Sequence, residues 1–372
     1  MEHIPPHGVR PWSDPNWCLQ FHAGYRCRHS GACCTAGWPI PIERDVHATL
    51  RLHFRDQPER FDYEAPRPDG AAATAAIRAS GDCAFFEPDR GRLCAIHREL
   101  GAERLPEACR QFPRVVLHDP RGTLISLSHF CPTAAALLAA PGPFRIVAAG
   151  SYLGLDGAAE GLDARGVLPP LLRPGMLTDR DGYDAWETRA IATLDRDDVD
   201  ADAALARLEN ATRRLGDWRP GGAPLREAVN RAFDVASNGE SHEDRPANAA
   251  VDRRRVRLAL GTIPPAAAVP RSTARLADAA AELPAWWAEF DRPVRAYLAA
   301  RLFGNWIAYH GPGLHAVVEY LRVALALVKA DAGRPRAGAT SSPWQIVTEA
   351  VRNADLVLVH LCDLKLLARR LE

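Results

Sequence analysis

The sequence predicts a mainly α protein: a cysteine-rich, metal-binding N-terminal module with a small β-hairpin, packed on a helical C-terminal region. Three observations carry this expectation. Seven of the nine cysteines fall between residues 27 and 131. Two β-prone runs, 114–118 and 123–128, flank Asp119, Pro120, Arg121 and Gly122, the composition of a hairpin turn. Beyond residue 285, apolar side chains recur at three- and four-residue steps over long stretches.

In chain order, residues 1–140 form the cysteine-cluster module and 141–372 the helical domain. Leu93 to Leu100 reads as a short helix stopped at Gly101, and 106–112 as a helical turn ended by Pro113. Residues 67–81 (RPDGAAATAAIRASG) look like a loose connector, and 141–182 are rich in Gly and Pro. Shorter helices are expected over 201–216 and 223–236, with an exposed polar loop at 238–248. The helical periodicity is strongest over 285–310, 314–331 and 344–371. Pro343 belongs in the first turn of the last of these, with Ser341 or Ser342 as its cap. The basic run Arg253, Arg254, Arg255 and Arg257 reads as a solvated helix face, and Trp286 and Trp287 as core.

Composition excludes several function classes. With 46 Lys+Arg against 46 Asp+Glu, the chain lacks the one-signed field that binds nucleic acid or an anionic membrane. At 47% hydrophobic and 25% charged it has an ordinary globular composition. No apolar run reaches the roughly 18 residues of a membrane span, and MEHIPPHGVRPWSDP has no apolar core of a secretory signal. A cytoplasmic protein is expected, with neither nucleic acid nor membrane as partner.

The chemistry resides in Cys27, Cys33, Cys34, Cys83, Cys94, Cys109 and Cys131. Glu87, Pro88, Asp89, Arg90 and Gly91 form a turn centred between Cys83 and Cys94, which returns one cysteine towards the other. A hairpin centred at 120.5 places residue n opposite 241 − n, so Cys109 faces residue 132, one step from Cys131. Seven is an odd number, and a reducing compartment disfavours disulfides. Thiolates are soft donors suited to zinc or to an iron–sulfur cluster, and bound metal would offset the poor apolar core of so irregular a segment. The long, uneven separations favour a [4Fe–4S] cluster over zinc, whose knuckles are compact. Four ligands suffice, which leaves as many as three of the seven in structural roles. The side chains of Cys33 and Cys34 diverge, so one can ligate while the other packs. His29, His97 and His129 are alternative donors or hydrogen-bonding neighbours.

The ordered run CC…GDCAFF…LCAIHRELGAERLPEACRQFPR…LISLSHFCP resembles the YkgJ-like cysteine-cluster proteins, described as zinc- or iron-chelating domains, and more closely the FliB-like flagellin lysine-N-methylases. The resemblance covers roughly residues 20–140, with a weaker similarity in YLAARLFGNWIAYHG and IVTEAVRNADLVLVH. It implies an iron–sulfur enzyme that methylates lysine ε-amino groups of a protein or peptide, flagellin being one such substrate, with S-adenosylmethionine as donor. One departure stands out: the family pattern Cys-x-x-Cys-Gly-x-Cys-Cys has Ser30 at its second position here.

The residues alone say less about methyl transfer. Residues 145–157 (RIVAAGSYLGLDG) lack the glycine spacing of a nucleotide-binding turn, and no Cys-x3-Cys-x2-Cys run is present. Holding the methyl donor would then fall to the cluster or its interface with the helices. A lysine methylase needs a proton acceptor, for which Tyr25, Glu43, Asp45, Asp82 and Glu87 are candidates. Arg110 and Arg114 are placed to balance thiolate charge. The rival reading is a non-catalytic zinc- or iron-binding protein with a structural or sensing role; a third is a different cluster enzyme acting on a peptide or small molecule.

Overall fold

The computed structural model describes residues 15–91, 93–150, 153, 160–238, 251–265, 276, 282–335 and 341–371. The chain starts with β1 (Asn16–Leu19), β2 (Ile40–Glu43), α1 (Arg44–His53), β3 (Phe61–Asp62) and β4 (Ala71–Ala75). A tight pair, β5 (Phe86–Glu87) and β6 (Leu93–Cys94), leads into α2 (Ala95–Leu100) and α3 (Glu107–Gln111). Then come the hairpin β7 (Arg114–Asp119) and β8 (Gly122–Leu127), α4 (Pro132–Ala136), and β9 (Ile146–Ala148), β10 (Leu162–Asp163), β11 (Leu171–Arg173) and β12 (Met176–Leu177). The remainder carries α5 (Arg180–Leu194), α6 (Ala201–Arg214), α7 (Leu225–Asn238), α8 (Arg253–Leu260), α9 (Asp291–Leu302), α10 (Ile307–His310), α11 (Leu314–Ala332), α12 (Pro343–Asp355) and α13 (Leu364–Arg370). Apart from Asn238, the loop expected at 238–248 lies outside the described residues.

The mainly α expectation is corrected by this architecture. Helix makes up 51% and strand 14%, a mixed α/β protein with several small sheets. The expected hairpin is the middle of a five-stranded sheet ordered β10-β7-β8-β1-β9; a three-stranded sheet β2-β4-β3 and the pairs β5–β6 and β11–β12 accompany it. The additional strands span only two to five residues each, too short for a periodicity to announce them, and β1, β2, β9 and β10 pair with partners far away in sequence. The Ala-rich stretch read as a connector is the clearest case. Alanine is a poor strand former, but Ala73 is set opposite Ile42 and Ala75 opposite both Ile40 and Phe61, and this burial fixes the extended backbone.

The hairpin register is the one its turn predicts, Arg114 opposite Leu127 through Asp119 opposite Gly122. Strand β1 runs parallel to β8 and antiparallel to β9, so the sheet joins strands from both sides of residue 140. Side chains of the hairpin and of α9 lash sheet to helices. Ser126 Oγ donates to Ala300 O at 2.9 Å, and Arg301 Nη2 donates to Leu127 O at 2.6 Å. Trp306 Nε1 donates to Val116 O at 3.1 Å. At the centre of the helices α11 is buried along nearly its whole length and packs on α12, α8 and α6.

Two periodic stretches break where the sheet or the site demands it. Within 285–310, a 3-10 turn (Ala285–Phe290) precedes α9, and the chain bends at Gly304 before α10. Gly304 has φ +61°, and a Cβ there would stand 3.3 Å from the Leu124 Cβ, so both backbone and sheet contact favour glycine. Within 344–371, α12 runs into a π-turn (Leu356–Leu361) before α13. Such turns mark functional or strained positions, and this one carries His360 to the cysteine-rich side. Among the described residues no helix is long and apolar enough to cross a membrane.

The start of α12 is the predicted one. Ser342 accepts from Gln345 N while the Gln345 side chain accepts from Ser342 N, with Pro343 in the first turn. Replacing Ser342 by alanine removes one orphan-donor partner and should cost about 1 kcal/mol, measured by urea denaturation, with little change in slope.

Candidate metal centre

Local chain chemistry brings five of the seven clustered cysteines together. Gly31, at φ +74°, turns the chain into a 3-10 turn that displays Cys33 and Cys34. Cys83 N–H donates to Cys34 O at 2.8 Å, tying the second cysteine segment to the first. The β5–β6 pair sets Cys94 opposite Phe86, a turn centred at residue 90, one and a half residues later than the sequence suggests. Pro106 starts α3, which supplies Cys109. These residues pack on a small core of their own, where Cys34, Cys83, Cys94 and Cys109 meet Ile42, Phe85 and Ile96.

The thiols are electrostatically linked. Cys33 and Cys34 sulfurs lie 3.8 Å apart, and Cys34 hydrogen-bonds to both Cys33 and Cys94. The hydrogen bond from Cys34 pulls the Cys94 thiol down to about 7 and also lowers Cys33, while Cys34 itself is held strongly protonated. Burial pushes Cys83 up to about 12 and raises Cys109 well above its ordinary value, and Cys33 and Cys94 add repulsion to both. The nearby cations are Arg60, beside Cys94, and Arg78, beside Cys83. Both were missed in the sequence, since neither lies in the quoted motif. Arg60 is positioned by Glu87 at 3.4 Å and by the faces of Phe54 and Phe85.

The remaining two cysteines, Cys27 and Cys131, form a second group apart from these five. Cys131 packs with Cys18 and Tyr25, the tyrosine hydroxyl 3.8 Å from its sulfur, and Cys27 lies nearby. The hairpin does not bring Cys109 and Cys131 together because Trp38 fills its open end. The indole packs against Phe112, three residues after Cys109, and Phe130, just before Cys131, with centroids at 5.7 and 5.2 Å. Arg114 serves this second group, facing Tyr25 and Cys27. Arg110 faces Glu107.

Among the described residues, no group of three or more histidine, cysteine, aspartate or glutamate side chains is placed so that it could hold a metal ion. All nine cysteines are unbridged. Comparison with known proteins brings no relative. No family model, no curated protein and no solved structure matches the chain.

The donor chemistry of the five thiols suits a thiophilic metal, although their placement here makes no such site. Thiols that oppose one another's ionisation, four half-buried and one buried, with Arg60 and Arg78 beside them, would gain from a multivalent cation that replaces their protons. The histidines divide. His29 stands 3.9 Å from the Cys27 sulfur and stacks near His97 at 5.1 Å, bridging the two groups at the surface. His129, expected as a substitute ligand, is buried elsewhere. Its Nε2 lies 3.1 Å from His22 Nε2 and its Nδ1 3.6 Å from Asp355. Asp355 is fully buried, accepts from the His129 N–H and from Tyr297 OH at 3.1 Å, and pairs with Arg301 at 3.4 Å. Burial alone would raise the Asp355 carboxyl, but Arg301 and His129 hold it well below the carboxylate range.

Of the candidate proton acceptors, Glu43 and Tyr25 reach a cysteine. Glu43 faces Cys109 and accepts from Glu107 N–H at 3.2 Å. Glu87 is held by Arg60 and Arg98, Asp82 by Ser80, and Asp45 is exposed at the start of α1.

His360 joins this side to the helices, 2.7 Å from Ser128 Oγ and stacked on Trp38 at 4.4 Å. Burial pushes its imidazole down to about 4; Asp355 opposes and Arg301 reinforces the shift. The unfolded value is about 6.5, so the unfolded chain binds the extra proton first. Stability attributable to this ring is intact above about pH 6.5 and is lost as pH falls towards 4, by up to about 3 kcal/mol. Urea denaturation of the wild type between pH 7 and 4.5 should show this decline, and His360→Phe should flatten it; equal slopes would reject it.

Proposed function

We propose that the chain is a cysteine-ligated metalloprotein, and that it acts as a FliB-like, iron–sulfur-dependent protein lysine N-methyltransferase. The observation that supports metal binding is the closeness of Cys33, Cys34 and Cys94, with Cys34 hydrogen-bonded to the other two, and of Cys83 and Cys109 near enough to feel their charge. Four of these five would hold a [4Fe–4S] cluster or, as the alternative, zinc. Cys27 and Cys131 would remain outside the ligand set. Methyl transfer rests on the sequence resemblance, and the cytoplasm, where thiols stay reduced, suits this reading.

When bound, an iron–sulfur centre supplies a thiolate-anchored charge and a site of electron transfer. The chain's own residues do the rest. Arg60 and Arg78 offset the negative charge of Cys94 and Cys83. Trp38, Phe112 and Phe130 pack as an aromatic group between the two sets of cysteines. Glu43, at the Cys109 edge, accepts the proton that a lysine ammonium must lose before its nitrogen can attack a methyl group. The substrate is a lysine-bearing protein or peptide, flagellin being one example.

One observation favours the rival, non-catalytic reading. The cysteine segments have a separate small core, and metal could serve to hold it together. Anaerobic purification with an absorption spectrum and assays of iron, sulfide and zinc tests both. A broad band near ~400 nm with matching iron and sulfide supports the cluster enzyme. Stoichiometric zinc without sulfide overturns it and leaves the structural role.

A further inference from the structure

A cavity of about 790 Å³ opens between α5 and the β1–β9 side of the five-stranded sheet, and none of its lining residues is a cysteine. Its floor is apolar, made by Leu124, Phe144, Ile191 and Phe303, all buried, with Trp17 at the side. One wall is α5, whose Asp181, Asp184, Thr188 and Asp195 recur at helical spacing. Across from it, Arg145 and Ile146 lie at the sheet edge formed by β9.

The charges here differ in how far they are already satisfied. Arg121 pairs with Asp119 at 2.7 Å and Glu187 at 2.6 Å, and Asp195 faces Arg292 at 3.6 Å. Among the described residues the side chains of Arg145, Arg180 and Asp181 have no ion pair or hydrogen bond, although all three line the cavity. An apolar floor, free guanidinium groups and a free carboxylate complement a molecule with a flat apolar body and charges of both signs. The volume is within the range of small-molecule pockets, about 300–1,000 Å³.

We propose that this cavity binds a small zwitterion with a planar apolar body, at a site separate from the cysteine centre. Arg145 and Arg180 take its carboxylate, Asp181 and Asp184 its cationic group, and Trp17 and Phe144 flank its ring. This deepens the methyl-transfer reading, and rests on it only for the identity of the ligand, since S-adenosylmethionine belongs to that class. It also moves the donor away from the cluster, where the sequence alone would have placed it.

The test is calorimetric titration of the full chain with S-adenosylhomocysteine. Arg145→Glu with Arg180→Glu should weaken binding about tenfold or more, and Ala192→Trp, an exposed lining position, should abolish it by filling the cavity. Cys34→Ser should leave it unchanged. Absence of binding to the wild type, binding indifferent to both cavity variants, or binding lost only with Cys34→Ser would each overturn the proposal. Metal assays on the same samples report the cysteine site independently. Binding through Arg145 and Arg180 in an iron-free protein upholds this site while removing the cluster reading. Iron and sulfide without binding do the reverse.

Discussion

Replacing Asp355 by alanine should destabilise the fold by about 3–5 kcal/mol, the usual cost of leaving a buried charge without its partner. The carboxylate is fully buried, with Arg301, Tyr297 and the His129 N–H around it. Arg301 is itself committed to Leu127 O and Ser126 Oγ, so its guanidinium cannot swing to solvent when Asp355 is gone. The loss should therefore be larger than any exposed ion pair could give, about 0–1 kcal/mol. Guanidinium chloride unfolding measures it. Replacing both partners by apolar residues, Asp355→Leu with Arg301→Met, should recover much of the loss, because no uncompensated charge remains. A single variant as stable as wild type would show that the pair is not held as described.

The second large effect is on metal retention. Cys34→Ser removes the sulfur that contacts both Cys33 and Cys94, and should lower retained iron or zinc by more than the ~10–100-fold that outer partners of a metal site typically cost. Cys27→Ser and Cys131→Ser, at the second group, should retain the metal. Metal analysis of the three variants after gel filtration separates these outcomes. Equal loss in all three would reunite the seven cysteines in one site and contradict the division made by Trp38.

What was legible in the sequence was whatever is encoded locally. The β7–β8 register followed from its turn, α2 ended at Gly101, and the Ser342–Gln345 cap was visible from spacing alone. The quoted motif also drew attention to the cysteines that gather in the pocket. What was not legible depends on partners distant in the chain. Strand β4 exists because Ile42 and Phe61 cover it, and α5 follows a stretch whose Gly and Pro content masks its start. The pairing of Cys109 with Cys131 failed because a tryptophan seventy or more residues upstream occupies the space between the ribbon ends. Arg60, Arg78 and Asp355 carry no spacing signal at all; only the folded chain shows what they face.

The position of β1 has a consequence for synthesis on the ribosome. Leu19 is made early, yet its strand is completed by β8 and by β9, which begins at Ile146. At about 5–20 residues per second, the 127 residues from Gln20 to Ile146 take roughly 6–25 s to emerge. Both edges of the first strand stay bare until β8 emerges with the hairpin, and the edge that takes β9 stays bare to the end of the interval. Long-range closure of this kind is the slow, exposed part of folding. The first strand is thus where a chaperone would have the longest opportunity to engage, well before the buried carboxylate of Asp355 has been made.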